Sequence, residues 1–323
     1  MSEGPLPMPE ISIVIPCYNS SKSLPELISR IEETFKSINV DDWELILVND
    51  NSEDEGLTWG VINSLSEKNN KIKGINLLFN TGQWCATLCG LKYTLGDITV
   101  ILDDDLQNPP EEIPKLITRL SNDPNTDVVF GVFKDKNHSA HKNLGSRFVS
   151  GIFSLFHGKP RNISLTSFVA IRKNIVNVIL KNTTKRPVIH SLILSTTNRI
   201  SNVEVRHDKR KHGRSGYTLS RMINATFDII FYATTMPLKI FSVVGILCFG
   251  FSILCSIALF YNYIFNGTKV PGFNTLALLI LGFGGLLMVG LGLIGEYVGR
   301  IISETSGKPR WAIRDIINIS DED

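Results

Sequence analysis

Between Lys239 and Glu296 the chain carries a single charged residue, Lys269. No other feature restricts the fold as strongly. The runs from Ile240 to Phe260 and from Leu276 to Gly295 hold no charge at all, and each matches the roughly 20 residues a helix needs to cross ~30 Å of hydrocarbon. A helix that is apolar all round must be enclosed by core or by lipid, and a soluble core seldom holds two such neighbours. Spans are therefore predicted at about 240–262 and 275–296, inside a membrane region of residues 237–299. Gly282, Gly284, Gly285, Gly290, Gly292 and Gly295 suit close helix packing, within or between subunits. Lys239, Arg300, Lys308, Arg310 and Arg314 flank the outer ends, whereas the loop between the spans holds only Lys269. The positive-inside rule then places both the preceding domain and a tail of residues 300–323 in the cytoplasm, at the inner membrane.

The chain of 323 residues has a different character before the spans. Residues 1–218 alternate apolar β-branched runs with amphipathic ones. Ile11 to Pro16, Trp43 to Val48, Ile72 to Leu78, the run through Val100, Asp127 to Phe133 and Ile200 to Val205 read as strands, and Ser164 to Arg172 as a turn into a strand. Helical spacing fills the intervals, as at Leu24, Leu27, Ile28, Ile31 and Phe35, with Ser21 or Ser23 as the cap. Alternation of this kind predicts an α/β domain with a parallel sheet and helices on both faces. Residues 219–236, with Phe227, Ile229, Ile230, Phe231 and Tyr232, read as an amphipathic helix lying in the membrane interface. The stretch from Lys134 to His157 turns from basic to amphipathic and is either core-facing or interfacial.

Chemistry concentrates at the strand ends. Asp103, Asp104 and Asp105 follow a buried strand directly, so they must emerge at the carboxyl edge, where open α/β sheets bind ligands. Carboxylates there suit Mg²⁺ or Mn²⁺ bridging to phosphate oxygens; an acidic turn ahead of Pro109-Pro110-Glu111 is the plainer use. Asp50 ends a second strand, and Pro16-Cys17-Tyr18-Asn19 ends a third. An aromatic face, an acid able to accept from a base N–H and an acid pair together describe a nucleoside diphosphate site. A Gly-rich phosphate fingerprint is missing after the first strand, which removes the main support for oxidoreductase or ATPase readings.

Residues 206–217 form the most basic run, with Arg206, Lys209, Arg210, Lys211 and Arg214, and with Gly213 and Gly216 for close approach. Arginine clamps phosphate with bidentate geometry. Net charge is only +2 and the run lies just upstream of the membrane region, so anionic lipid rather than nucleic acid is the expected partner. The five cysteines show no metal spacing, and Cys85 and Cys89 read as core thiols. Met1 to Glu10 has two acids, three prolines and no apolar run, so no signal peptide is expected.

Pro16-Cys17-Tyr18-Asn19, Val48-Asn49-Asp50-Asn51-Ser52, Asn80-Thr81-Gly82-Gln83 and Asp103 through Glu111 resemble the GT-A (Rossmann-like, mostly parallel sheet) domain of family 2 glycosyltransferases. Arg210 to Tyr217, Met236-Pro237-Leu238-Lys239 and Gly295-Glu296-Tyr297-Val298-Gly299-Arg300 are similar to the polyprenyl-phosphate members, and the two-span ending looks most like the bacterial ones. The resemblance implies an inverting transfer of one sugar from a nucleotide-sugar to polyprenyl phosphate, for cell-envelope glycan, O-antigen or lipid modification; the alternatives are a processive polysaccharide synthase, or a catalytically silent family member acting as a membrane scaffold. It implies that Asp103, Asp105 and Gln107 hold the metal and diphosphate, and that Pro16, Tyr18, Asn19 and Asp50 hold the nucleoside. Asn80, Gln83 and Asp104 complete the nucleotide-sugar site on the same basis. Arg147, Arg206, Arg210, Arg214 and Ser215 would take the lipid phosphate, with Asp103, Asp105 and Arg210 the catalytic set. A homo-oligomer, with a tetramer among the possibilities, is also implied. One departure stands out: where many relatives carry an Asp and an Arg around Gly-Ser-Phe-Arg, this chain has Ser164-Leu165-Thr166-Ser167-Phe168-Val169-Ala170. Sugar identity and a catalytic base are therefore not carried across.

Overall fold

Strands buried on both faces, most of them rich in branched apolar residues, build the centre of one sheet. They are β1 (Ile11–Cys17), β2 (Trp43–Asn49), β3 (Ile72–Leu77) and β4 (Ile98–Ile101). β1 pairs in parallel with β2 and β4, and β2 with β3. β5 (Val128–Phe133), β6 (Val169–Arg172), β7 (Ile200–Val205) and β8 (Ile313–Ile317) complete an eight-stranded sheet in the order β7-β5-β6-β4-β1-β2-β3-β8. This computed structural model describes residues 11–133, 163–185, 187–208 and 272–319, with scattered positions between 241 and 265.

The sheet is mixed rather than parallel throughout. β6 runs antiparallel to both β4 and β5, and β8 antiparallel to β3. The segment before β6 meets the carboxyl edge through Ser167, so the strand that follows can only run back down the sheet. β8 is absent from the expected strand set, because five residues with Arg314 and Asp315 among them carry little apolar signal.

Helices cover both faces. One layer packs Leu27, Ile31 and Phe35 of α1 (Leu24–Ser37), Ile62 of α2 (Leu57–Lys68) and Leu116 of α4 (Ile113–Ser121) against Ile13, Ile15, Leu45 and Leu47. The other packs Ala86 and Cys89 of α3 (Gln83–Lys92), Val176 of α5 (Lys173–Leu180) and Ile193 of α6 (Ile189–Thr196) against Val14, Ile46, Val48 and Ile75. A Cβ at Gly90 would lie 2.5 Å from Val14 Cγ1 and 3.0 Å from Val48 Cγ2, so α3 sits as close to the sheet as a glycine permits. Ser23 does precede α1, but its hydroxyl donates to the Ser20 carbonyl and caps no N–H. Cys17, Cys85 and Cys89 are buried free thiols; burial pushes Cys85 up to about 11 and Cys89 up to about 12.

Two compact units divide the chain: Met1–Gly216 with Lys308–Asp323, and Tyr217–Gly307. In the second, α7 (Gly272–Thr305) is 34 residues long and contains the second expected span. Its stretch Leu286–Thr305 is, among the described residues, the one helix apolar and long enough to cross a membrane. Gly290 lets the ring of Phe241 approach the helix, since a Cβ there would lie 2.4 Å from the ring tip. The described positions from Phe241 to Phe265 are helical and expose Leu247, Leu254 and Ile257. The remainder of the first expected span, the interfacial helix expected over 219–236 and the stretch 134–157 lie outside the described residues.

Candidate active site

Each of the loops leaving β1 to β4 at the carboxyl edge contains a residue in the left-handed region: Asn19 (φ 57°), Asn51 (φ 48°), Gly82 (φ 84°) and Leu106 (φ 61°). Asn and Gly tolerate that conformation, and a leucine ordinarily does not, at a cost of about 1–2 kcal/mol. Leu106 is 1% exposed and belongs to the same core cluster as Ile113 and Leu116. Burying its side chain, worth about 1.5–3 kcal/mol, holds the turn in place.

The three aspartates of that turn have separate partners. Asp103 accepts from Gln83 Nε2 at 2.6 Å and from the Ser167 hydroxyl. Asp104 accepts from the Tyr18 backbone N–H at 3.1 Å and from the Ser20 hydroxyl, so it fastens the loop after β1. Burial pushes its carboxyl above the ordinary range, the neighbouring Asp105 charge adds to this, and the Ser20 and Tyr18 hydrogen bonds oppose it. Asp105 accepts from the Gln107 N–H at 3.0 Å, an Asx-type turn that folds the loop on itself.

Asp50 is 3% exposed and already committed. Its carboxylate accepts from Thr81 N–H at 2.7 Å, Thr81 Oγ1 at 2.8 Å and Gly82 N–H at 2.8 Å, which occupies three of about four lone-pair positions. Asn80 Nδ2 donates to the Asp50 carbonyl at 3.1 Å. The loop after β3 is thus organised around this one acid. Tyr18 stays exposed at its surface, Asn19 Oδ1 accepts from Glu53 N–H at 2.9 Å, and Pro16 is buried within β1 opposite Val48.

The start of the basic run docks on the acidic loop. The Asp208 N–H donates to the Gln107 carbonyl at 3.0 Å. Arg206 reaches Glu112 at 3.0 Å and Glu111 at 3.7 Å, while Arg30 forks onto Glu111 with two contacts of 2.8 Å. The Arg30 hydrogen bonds hold Glu111 below the usual carboxylate range. Burial pushes Glu112 up, but Lys115 and Arg206 together more than offset it, leaving it lowered. Arg147, Arg210, Arg214 and Ser215 lie outside the described residues.

Asp103, Gln83, Tyr18, Asn19, Asp50, Asn80 and Asp104 therefore share one sheet edge, linked through Ser20, Ser52, Thr81 and Ser167. Ser167 is the member that sequence reasoning passed over. It lies in the segment singled out for lacking charge, and a neutral hydroxyl gave no signal of its own. Among the described residues no three His, Cys, Asp or Glu side chains gather to hold a metal by themselves.

A mixed sheet with its acidic turn at the carboxyl edge is the GT-A arrangement of nucleotide-sugar transferases. The sequence profile of glycosyl transferase family 2 matches residues 12–184. Over 316 residues the chain is 32% identical to the undecaprenyl-phosphate 4-deoxy-4-formamido-L-arabinose transferase of Pseudomonas fluorescens, covering 97% of this chain and 92% of that protein. Glucosyl-3-phosphoglycerate synthase from Mycobacterium tuberculosis, solved with Mn²⁺, uridine diphosphate and phosphoglyceric acid, shares the fold at TM-score 0.50 and 18% identity, over 69% of this chain and 76% of its own. The chain belongs to glycosyl transferase family 2 and is a glycosyltransferase.

Proposed function

We propose that this protein moves a single sugar, with inversion, from a UDP-linked donor to undecaprenyl phosphate at the cytoplasmic face of the membrane. The observation that carries the reading is the match to an undecaprenyl-phosphate sugar transferase along almost the whole chain, including the region of residues 217–307 that follows the sheet domain. The Mn²⁺ and uridine diphosphate bound by the structural relative support the donor half.

Tyr18 and Asn19 meet the nucleoside, with Pro16 and Asp50 shaping the loops around it, and Asn80, Gln83 and Asp104 complete that side. Asp103, Asp105 and Gln107 offer oxygen donors at a half-exposed turn. That set fits Mg²⁺ or Mn²⁺, which commonly use one or two carboxylates and leave the remaining positions to substrate phosphates. The bound ion would supply charge neutralisation for the departing diphosphate. Ser167, already on Asp103, orients that carboxylate. Arg147, Arg206, Arg210, Arg214 and Ser215 hold the acceptor phosphate, with Arg210 fixing it in line. An acceptor phosphate is already ionised near neutral pH, so positioning and electrostatics replace a strong general base.

Membrane topology has independent support. Residues of β3 and β8 pair in one sheet, although α7 lies between them in the chain. That pairing supports placing both sides of residues 217–307 on the same side of the bilayer, with an even number of crossings between them. With α7 as one span, a second within 240–262 satisfies that parity. A homo-oligomer packed through the glycine-rich spans completes the reading.

The test uses full-length protein in detergent, Mn²⁺, undecaprenyl phosphate and a panel of radiolabelled UDP-sugars. One donor should give a labelled single-sugar lipid, and Asp105→Ala should lower the rate at least about 100-fold while the protein still inserts. Polymer in place of single-sugar lipid, or no labelled lipid from any donor, would overturn the proposal.

A further inference from the structure

The three residues Asn49, Asn76 and Asp315 lie side by side across the sheet: Asn49 is in register with Asn76, and Asn76 with Asp315. Their side chains form one hydrogen-bonded row. Asn76 Nδ2 donates to Asp315 Oδ2 at 2.8 Å, and Asn49 Nδ2 donates to Asn76 Oδ1 at 2.9 Å. The Ser52 hydroxyl then donates to Asn49 Oδ1 at 2.6 Å, and the Asn19 backbone N–H donates to Ser52 Oγ at 3.0 Å. The row starts on β8, beyond the apolar helix, and ends in the loop that carries Tyr18 and Asn19.

Every link points the same way, and the reason is at the β8 end. A carboxylate offers acceptors only, so Asn76 must present its NH₂ to Asp315 and its carbonyl oxygen to Asn49. Asn49 must then present its NH₂ to Asn76, which leaves its oxygen for Ser52. Asn49 and Asn76 are 4% and 6% exposed, so neither amide can turn to water for a substitute partner. A solvated edge acid with no further role would not need two buried amides aligned behind it.

We propose that Asp315 is a positioning residue for the donor-nucleotide site: by fixing the polarity of this row it sets Ser52 and hence the loop of Tyr18 and Asn19. The inference rests on the reading of that loop as the nucleoside site. It assigns to the strand after the membrane region a part in donor binding, through hydrogen-bond direction rather than through contact with the donor.

The experiment uses the full-length protein in detergent with UDP and Mn²⁺ as the probe, comparing wild type with Asp315→Leu, Asp315→Lys and Asp315→Asn. Titration calorimetry gives UDP affinity, and hydrogen–deuterium exchange without nucleotide reports the amides of residues 18–20 and 50–54. Asp315→Leu orphans the Asn76 NH₂ and Asp315→Lys forces the row to reverse. Both are expected to weaken UDP binding about three- to tenfold and to speed exchange in both loops. Asp315→Asn keeps an acceptor and should stay within about twofold of wild type. UDP affinity and loop exchange unchanged in both Leu and Lys variants overturn the proposal, as does an Asn variant as impaired as the Leu one. Should wild type bind no UDP, the exchange arm alone decides whether the row positions the loop, and the nucleotide reading fails separately.

Discussion

The Asp208 N–H donates to the Gln107 carbonyl across 3.0 Å, joining the first residues of the basic run to the acidic turn. Two segments about 100 positions apart thus share one backbone hydrogen bond, and Arg206 and Arg30 frame it through Glu112 and Glu111. A phosphate held by the basic run and a diphosphate held by the acidic turn would accordingly be positioned against a common backbone.

That frame titrates. Glu111 and Glu112 are both lowered in the folded protein, so they contribute stability that is present above the ordinary carboxylate range and is lost as pH falls through their lower folded values. Arg206→Ala should cost about 1 kcal/mol at pH 7, since its guanidinium is largely exposed, and should flatten the acid limb of the stability profile. Urea midpoints between pH 7 and pH 4 measure both effects.

Asp104 has the opposite sign. Its carboxyl is raised, so it costs stability once ionised and recovers it as pH falls through the raised folded value. Asp104→Asn retains an acceptor for Tyr18 and Ser20 and should match or exceed wild-type stability at pH 7. Asp104→Ala leaves both donors without a partner and should lose about 1–3 kcal/mol. Equal stability of the two variants would contradict the assignment.

Asp50→Ala removes the acceptor of three hydrogen bonds in the loop after β3. We expect a loss of about 2–4 kcal/mol by chemical denaturation. Faster amide exchange at Thr81 and Gly82 should accompany it.

Gly90→Val places atoms where Val14 and Val48 already stand. Overpacking of this kind costs about 1–3 kcal/mol. The drop in melting temperature should be larger than for valine at Gly60, where a Cβ meets nothing within 4 Å.

For the membrane region, an alkaline phosphatase fusion after Lys269 should be active and one after Asp323 inactive. Two active fusions would contradict the even crossing number.

The central strands were readable because a parallel strand buried on both faces shows as an apolar run, as in Ile13–Ile15 and Leu45–Val48. Their carboxyl ends, and with them Asp50 and the Asp triplet, followed directly. Strand direction was not readable at β6, whose reversal depends on where the loop before it meets Asp103. β8 was hidden for another reason: its partner β3 lies some 240 residues earlier, and its own pattern is half polar. For Asp104 the sequence offers only a place in the nucleotide-sugar site, by resemblance. Its bond to the Tyr18 N–H depends on a register between β1 and β4 that spacing alone does not reveal.

The pairing of β8 with β3 also imposes an order on biosynthesis. Chains are made from the amino end, and domains generally begin to fold as they emerge. Here the sheet keeps β3 as an open edge until every residue of α7 has been made, because the strand that covers it comes later. An open edge is a template for pairing with another chain. The nascent enzyme therefore carries an exposed strand edge for as long as its apolar helix is being made, and closure of the sheet waits on the completion of that helix.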